Sequence, residues 1–161
     1  LSISSGGKTF NTTGWKVGWL CGPAPLVQAA RTAKQFLTYV AGGPFQPAIA
    51  LGLGLPDSFF HGIATDLQAK RDRLLPGLVQ AGFTVYPTSG TYFVTVDIRP
   101  LQPDGDGMAF CRALPGHCRV VAIPNEVLYA NKAAGRHLVR FAFCKRLDVL
   151  DEAVARLRTL G

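Results

Sequence analysis

The sequence predicts an α/β protein in two parts, residues 1–55 and 56–161. Three observations lead to this prediction. Short apolar runs typical of strands alternate with longer stretches in which apolar residues recur at helical spacing. Gly-Pro and Gly-Gly pairs stand between these runs, where elements have to end. Near residue 55, a mainly apolar composition gives way to a charged, amphipathic one, which indicates a domain boundary.

The first part should contain two strands and then two helices. LSISS (1–5) alternates apolar and hydroxyl residues, and VGWLCG (17–22) is an apolar run that a Gly-Pro pair stops, so both segments read as strands. Helical spacing over about 25–39 predicts the first helix, which the sequence AGGP ends. PAIALGLGL (47–55) predicts a second, wholly apolar helix. We expect buried residues to dominate these elements.

The second part should begin with a long helix and continue as an α+β domain. An amphipathic pattern runs from the candidate N-cap Asp57 to residue 81, where Gly82 should end the helix. Later segments predict, in order, a hairpin of strands 83–87 and 91–98, a helix at 107–114, strands at 120–124 and 137–144, and a closing helix at 148–160 capped by Asp148.

Composition argues against several classes of function. The net charge is +7, but the basic residues are scattered and not interleaved with stacking aromatics, so we expect no nucleic-acid partner. The chain shows no leader pattern and no apolar run of about 18 residues, so we expect a cytoplasmic location and no membrane contact. No C-x-x-C pair or zinc-binding spacing is present, and we expect reduced, buried thiols at Cys21, Cys111, Cys118 and Cys144.

Two lysines near the start of the chain stand in contexts that favour chemistry. Lys8 follows a Gly-Gly pair, where the missing Cβ atoms let a planar ligand approach the backbone. A lysine desolvated there has its ammonium form disfavoured and can form a Schiff base. Lys16 lies in a segment of hydroxyls and glycines that suits a phosphate. Together they indicate an aldehyde that carries a phosphate, with ordinary surface lysines as the alternative.

The wider segment carries a more specific signal. The pattern Ser-x-x-Lys-Thr-Phe-x-x-Thr-Gly-Trp-Lys-x-Gly-Trp (5–19) closely resembles the lysine segment of fold-type I, class I pyridoxal-phosphate (PLP) aminotransferases. It is most similar to the branch with kynurenine, methionine and N-succinyldiaminopimelate aminotransferases. GTYF (90–93), VVAIP (120–124) and VRFAF (139–143) resemble later landmarks of that family in the same order.

This resemblance covers essentially the whole chain and implies the C-terminal part of such an enzyme. Residues 1–55 would be the end of the large cofactor domain, and residues 56–161 would be the small α+β domain. The implied reaction is a transamination, in which an amino group moves from an amino acid to a 2-oxo acid. A homodimer with shared active sites is implied as well.

The resemblance also implies roles for five residues. Lys8 would form the Schiff base with PLP and then move the α-proton of the substrate as a general base. Ser5 and Lys16 match the family's phosphate ligands. Arg140 matches the arginine that binds the α-carboxylate of the substrate, a task suited to a planar, bidentate guanidinium. Tyr39 aligns with an aromatic position that, in relatives, reaches the substrate pocket of the neighbouring subunit.

Several alternatives stay open at this stage. In the family, the acid that pairs with the pyridine nitrogen lies upstream of the lysine, so we expect this chain to be a fragment that is inactive, or nearly so, alone. It could instead be a non-catalytic module that binds a phosphorylated ligand, or an interaction protein with 47–55 as an apolar patch. Arg140 could be an edge-strand residue paired with an acid. Asn125 and Glu126 depart from the small residues expected after Pro124.

Overall fold

The structure is a computed structural model, and it describes residues 1–160. The chain forms two compact units, Leu1–Ile63 and the residues from Ala64 onward. The division falls inside a continuous helix, Asp57–Gln80, a few residues beyond the change in composition. The division into domains at residue 55 stays a prediction, because a compact unit of this chain and a domain of a larger fold need not end at the same residue.

The first unit contains a two-stranded antiparallel sheet and helices. Strand β1 (Ser2–Ser5) pairs with β2 (Gly18–Cys21). The helices are α1 (Gly6–Thr9), α2 (Ala24–Leu37), α3 (Gln46–Leu53) and the first part of α4 (Asp57–Gln80). The structure confirms both predicted strands and both predicted helices to within a few residues at their ends.

The prediction that buried residues dominate the first part is wrong. Within the described residues of the first unit, only Gly6 and Ile49 are buried. The side chains of Phe36 and Leu37 at the end of α2 are 84% and 81% exposed. The physical reason is that apolar faces of strands and helices are buried only where another element packs against them.

The second unit is built on a four-stranded antiparallel sheet of order β3-β4-β6-β5. The core on one face of this sheet contains residues of α4 and of two later helices. The strands are β3 (Thr84–Val85), β4 (Phe93–Asp97), β5 (Ile123–Pro124) and β6 (Leu138–Ala142). The later helices are α5 (Gly107–Cys118), the single turn α6 (Lys132–Gly135), which the sequence did not predict, and α7 (Leu147–Leu157).

Alternation along the two central strands separates the faces of this sheet. Val94, Val96 and Val139 are 0% exposed and point into the core. Since successive side chains of a strand point to opposite faces, Thr95 and its cross-strand partner Arg140 lie on the other side. We call this side the outer face; it carries Phe93, Thr95, Asp97, Leu138 and Arg140.

Three predicted boundaries need correction. Asp57 is the first residue of α4 and not its N-cap, because Pro56 precedes the helix and its carbonyl oxygen accepts from the N–H of Phe59. The helix predicted at 107–114 runs on to Cys118, and Arg119, in a left-handed conformation with φ 59°, ends it. Asp148 is not the cap of the closing helix, because Arg146 occupies that position and Asp148 lies in the first turn. The two side chains form an ion pair of 2.7 Å there, so Asp148 still contributes its charge near the N-terminus of α7.

The packing of α4 against α7 depends on Gly77. A Cβ atom at this position would lie 2.4 Å from Cγ2 of Val154. Gly77→Ala should therefore lower the free energy of unfolding by about 1–3 kcal/mol, because overpacking displaces the two helices. Gly62→Ala in the same helix is the control, since nothing lies within 4 Å of its Cβ position. Chemical denaturation measures both variants, and equal stabilities would contradict the packing described.

The cysteines divide into two kinds. Cys111 and Cys118 are buried, but Cys21 and Cys144 are exposed, so the prediction of buried thiols is wrong for these two. Burial raises the pKa of the Cys111 thiol to about 12, which suppresses its reactive thiolate form. We expect a maleimide to label Cys21 and Cys144 in the folded chain and all four cysteines after unfolding. Mass-spectrometric mapping checks this, and labelling of Cys111 in the folded chain would contradict it.

No cluster of His, Cys, Asp and Glu within residues 1–160 could hold a metal ion. No helix in the same range has both the length and the apolar character needed to cross a membrane.

Candidate functional site

The pairing of β1 with β2 brings the predicted cofactor residues into one corner of the first unit. The backbone N–H of Gly6 donates to the carbonyl oxygen of Val17 at 3.1 Å. Ser5 precedes Gly6 and Lys16 precedes Val17, so this hydrogen bond places the two side-chain positions near each other. Lys8 lies in α1, which begins at Gly6. We call this group, Ser5, Lys8 and Lys16, the lysine corner.

Glycines make the close backbone contacts of the lysine corner possible. A Cβ atom at Gly18 would lie 2.8 Å from the carbonyl oxygen of Ser4, and one at Gly7 would lie 3.2 Å from Cα of Thr13. The hydroxyl of Thr13 donates to the carbonyl oxygen of Gly7 at 3.1 Å. Side chains at the two glycines would therefore force α1 and β1 away from the residues that follow them.

The three side chains of the lysine corner are exposed. The prediction that Lys8 is desolvated is therefore wrong for the described residues, because α1 is a single turn at the surface of a unit with little core. The Ser5 side chain makes no capping hydrogen bond to α1. Lys16 ends a 3-10 turn in the left-handed conformation, with φ 54°, which is uncommon for a residue with a Cβ atom. The lysine corner thus lies at the surface of the first unit.

Tyr39 lies in the same unit, two residues after the end of α2. Its backbone is left-handed, with φ 56°, and its N–H donates to the carbonyl oxygen of Lys34 at 3.1 Å. The side chain is 74% exposed. Tyr39 therefore has no packing role in the small core of the first unit.

Arg140 lies at the centre of the outer face in the second unit. Its strand β6 runs between β4 and β5, with Thr95 and Ile123 as cross-strand partners. Cζ of Arg140 lies 4.7 Å from the ring centroid of Phe93, a cation–π contact. No carboxylate of the described chain forms an ion pair with Arg140. The alternative of an edge residue paired with an acid is therefore wrong.

An acid on the outer face, Asp97, is paired with other groups. Nη2 of Arg99 donates to Oδ2 of Asp97 at 2.5 Å, and the backbone N–H of Arg99 donates to Oδ1 at 2.9 Å. Nε2 of His137 lies 4.0 Å away. The hydrogen bonds from Arg99 lower the pKa of the Asp97 carboxyl, although its burial acts in the opposite direction. Arg140 therefore has no anionic partner on the outer face among residues 1–160.

Acid should destabilise the chain through Asp97. A carboxyl group whose pKa is lower in the folded state contributes stability above its unfolded pKa, and this contribution is lost as the pH falls through the folded pKa. We expect the free energy of unfolding to fall below about pH 4 and the variant Asp97→Asn to show a shallower fall. Denaturant titrations across this range measure the slope, and identical slopes for the two proteins would contradict the assignment.

Asn125 stood out in the sequence as a departure from the expected small residue, but no contact with the Arg140 region was predicted for Asn125 or for Phe93. Phe93 stacks under the guanidinium, and Nδ2 of Asn125 donates to Oγ1 of Thr95, the strand partner of Arg140, at 3.4 Å. Alternation in FVTVD does place Phe93 and Thr95 on one face. The contact of Asn125 could not be read from any local pattern, because it depends on the order of three strands.

Comparisons with known proteins agree with this architecture. Residues 1–157 match the family model described as "Aminotransferase class I and II", so the chain belongs to that family. A probable N-succinyldiaminopimelate aminotransferase, DapC, of Mycobacterium tuberculosis is 50% identical over 170 residues, which cover 100% of this chain and 42% of that protein. A methionine aminotransferase of Escherichia coli is 34% identical, with 99% and 41% covered.

Solved structures give the same result. The N-succinyldiaminopimelate aminotransferase of M. tuberculosis superposes with a TM-score of 0.89 at 51% identity, over 99% of this chain and 41% of that chain. The E. coli methionine aminotransferase superposes with a TM-score of 0.86 at 34% identity, over 98% and 41%. The chain thus spans about two fifths of the length of these relatives. The predicted fold, an α/β portion of a fold-type I aminotransferase, is confirmed.

Proposed function

We propose that this chain carries part of the active site of a PLP-dependent transaminase. The observation that carries the proposal is the pairing of β1 with β2, where the contact of Gly6 with Val17 joins the segment that carries Ser5 and Lys8 to the segment that carries Lys16. The family match over residues 1–157 supports it. The reaction would move an amino group from an amino acid to a 2-oxo acid, in a cytoplasmic homodimer.

The groups in the lysine corner fit the chemistry of PLP. An amine binds an aldehyde carbon covalently, and a hydroxyl and an ammonium donate hydrogen bonds to a phosphate. Lys8 would hold the aldehyde carbon, and Ser5 and Lys16 would hold the phosphate. When bound, PLP supplies an electron-withdrawing ring for the reaction at the α-carbon of the substrate. The exposure of the three side chains leaves them accessible to such a ligand.

The remaining residues would act on the substrate. The guanidinium of Arg140 would bind the α-carboxylate through two parallel N–H donors, a geometry that orients the substrate as well as holding it. Nζ of Lys8 would accept the proton that leaves the α-carbon and later return a proton. Tyr39 would reach the substrate pocket of the second subunit. In the family the acid against the pyridine nitrogen precedes the lysine, so we expect the 161-residue chain to bind PLP without appreciable turnover.

An interaction protein is a second candidate, which the exposure of the apolar segment 47–55 favours. Leu51 is 79% exposed and Leu53 is 46% exposed. Association that rises with protein concentration, in a chain that binds no PLP, would support this candidate instead.

An absorbance titration with PLP tests the proposed function. The chain should show a saturable new band from the covalent PLP–lysine adduct, and Lys8→Arg should lose it, because arginine does not form the adduct. Lys34→Arg is the matched control, since Lys34 is an exposed lysine on α2 that donates to Thr38. If Lys8→Arg titrated like the unmodified chain, the proposed role of Lys8 would be wrong.

A further inference from the structure

Asn125 buries a polar atom that has no hydrogen-bond partner. The residue is 6% exposed, and its Oδ1 is the buried side-chain oxygen or nitrogen that makes no hydrogen bond within the described part of the chain. Such atoms are rare in folded proteins, because burial removes the water that would otherwise bind them. Asn125 also replaces the small residue that we expected after Pro124.

The strand order places the Asn125 side chain beside Arg140. Asn125 follows β5, and its Nδ2 donates to Oγ1 of Thr95 on β4 at 3.4 Å. Strand β6 lies between these two strands, and Arg140 is the residue of β6 that pairs with Thr95. The side chain of Asn125 therefore reaches across β6 on the outer face, where Arg140 lies.

Arg140 has hydrogen-bond donors that its present contact does not use. Its guanidinium lies over the ring of Phe93, and a guanidinium carries five N–H donors. A bidentate contact with a carboxylate occupies two of these donors. Once Arg140 turns away from Phe93 to make that contact, its other donors can serve a neighbouring acceptor such as Oδ1 of Asn125.

We infer that Asn125 is a positioning residue for Arg140, whose guanidinium donates to Oδ1 of Asn125 when it binds the carboxylate of the substrate. This role rests on the proposed function, which assigns carboxylate binding to Arg140. Because the buried oxygen gains its partner only in the bound orientation, the hydrogen bond favours that orientation over the contact with Phe93. Its loss should weaken carboxylate binding about tenfold.

Nuclear magnetic resonance of the nitrogen-15-labelled chain tests this role, with sodium acetate as the probe and sodium chloride to hold the ionic strength constant. The Nε–H resonance of Arg140 should shift with saturation and move downfield, as the proton leaves the shielding face of Phe93. Asn125→Leu should raise the dissociation constant for acetate about tenfold, and an unchanged dispersion of the backbone amide resonances checks that this variant keeps its fold. Asn131→Leu, at an exposed asparagine in the same connection, is the control and should bind acetate normally.

The outcomes distinguish the role of Asn125 from the binding of carboxylate by Arg140. Normal acetate affinity in Asn125→Leu would overturn the role of Asn125 and leave carboxylate binding by Arg140 in place. No saturable shift in the unmodified chain would overturn both, independently of the PLP titration of Lys8. Asn125→Asp serves as a second variant, since a carboxylate beside Arg140 should pair with it and abolish the acetate shift. An unchanged shift in Asn125→Asp would place residue 125 out of reach of the guanidinium.

Discussion

Lys16→Gln is expected to weaken the binding of PLP to this chain by about ten- to a hundredfold, because a charge-assisted hydrogen bond contributes about 1.5–3 kcal/mol. The binding of pyridoxal, which has the aldehyde but no phosphate, should stay the same. The left-handed backbone of Lys16 ends the 3-10 turn Thr13–Trp15 and sets the direction in which the side chain leaves the lysine corner. Glutamine keeps a hydrogen-bond donor at this position and removes the charge. The variant therefore measures how much the charge of Lys16 contributes to the binding of PLP.

The comparison of the two ligands makes this prediction specific. Absorbance titrations of the unmodified chain, Lys16→Gln and Lys34→Gln give the affinities. Lys34 is the control because it is an exposed lysine of α2 whose Nζ donates to the hydroxyl of Thr38, the residue that follows this helix. An equal loss of affinity for PLP and for pyridoxal would show that Lys16 maintains the conformation of the lysine corner and does not bind the phosphate. An unchanged PLP affinity would contradict the assignment of Lys16 outright.

Leu78→Ala is expected to lower the free energy of unfolding by about 2–5 kcal/mol, a larger loss than that expected for Gly77→Ala. Leu78 is 0% exposed and packs in the core between α4 and the sheet of the second unit. The substitution removes buried apolar surface and leaves a cavity, which the packed helices and strands around it can close only in part.

The neighbouring residue provides the control for this prediction. Val79 is 59% exposed on the same helix, so Val79→Ala should change the free energy of unfolding by no more than about 0.5 kcal/mol. Urea denaturation at fixed pH measures both variants. Similar losses of unfolding free energy in Leu78→Ala and Val79→Ala would show that the face of α4 that carries Leu78 is not packed in the core.

Local elements could be predicted because their residues carry the relevant periodicity themselves. The alternation in FVTVD and LVRFA depends only on neighbours along the chain, and it assigns Val94 and Val139 to the core. The strand order could not be predicted in this way. β6 lies between β4 and β5 although it follows both in sequence, and only this order brings Asn125, Thr95 and Arg140 together.

Burial was the least predictable property of the first unit. An apolar run such as 47–55 shows that a face can be buried, but it does not show which layer covers that face. Leu51 is 79% exposed within residues 1–160, and the expected desolvation of Lys8 was wrong for the same reason. Ser5, Lys8 and Lys16 could be singled out because they stand in one short segment of the sequence, and their part in binding PLP stays a prediction.

The most direct test of Lys8 as the PLP-binding residue is to fix the bound cofactor with borohydride and map it by peptide mass spectrometry. The chain would be reduced at the PLP concentration that saturates the absorbance change. We expect the label on Lys8, with little on Lys34 or Lys145, which are also exposed. Label spread over the exposed lysines, with no preference for Lys8, would contradict the proposed function.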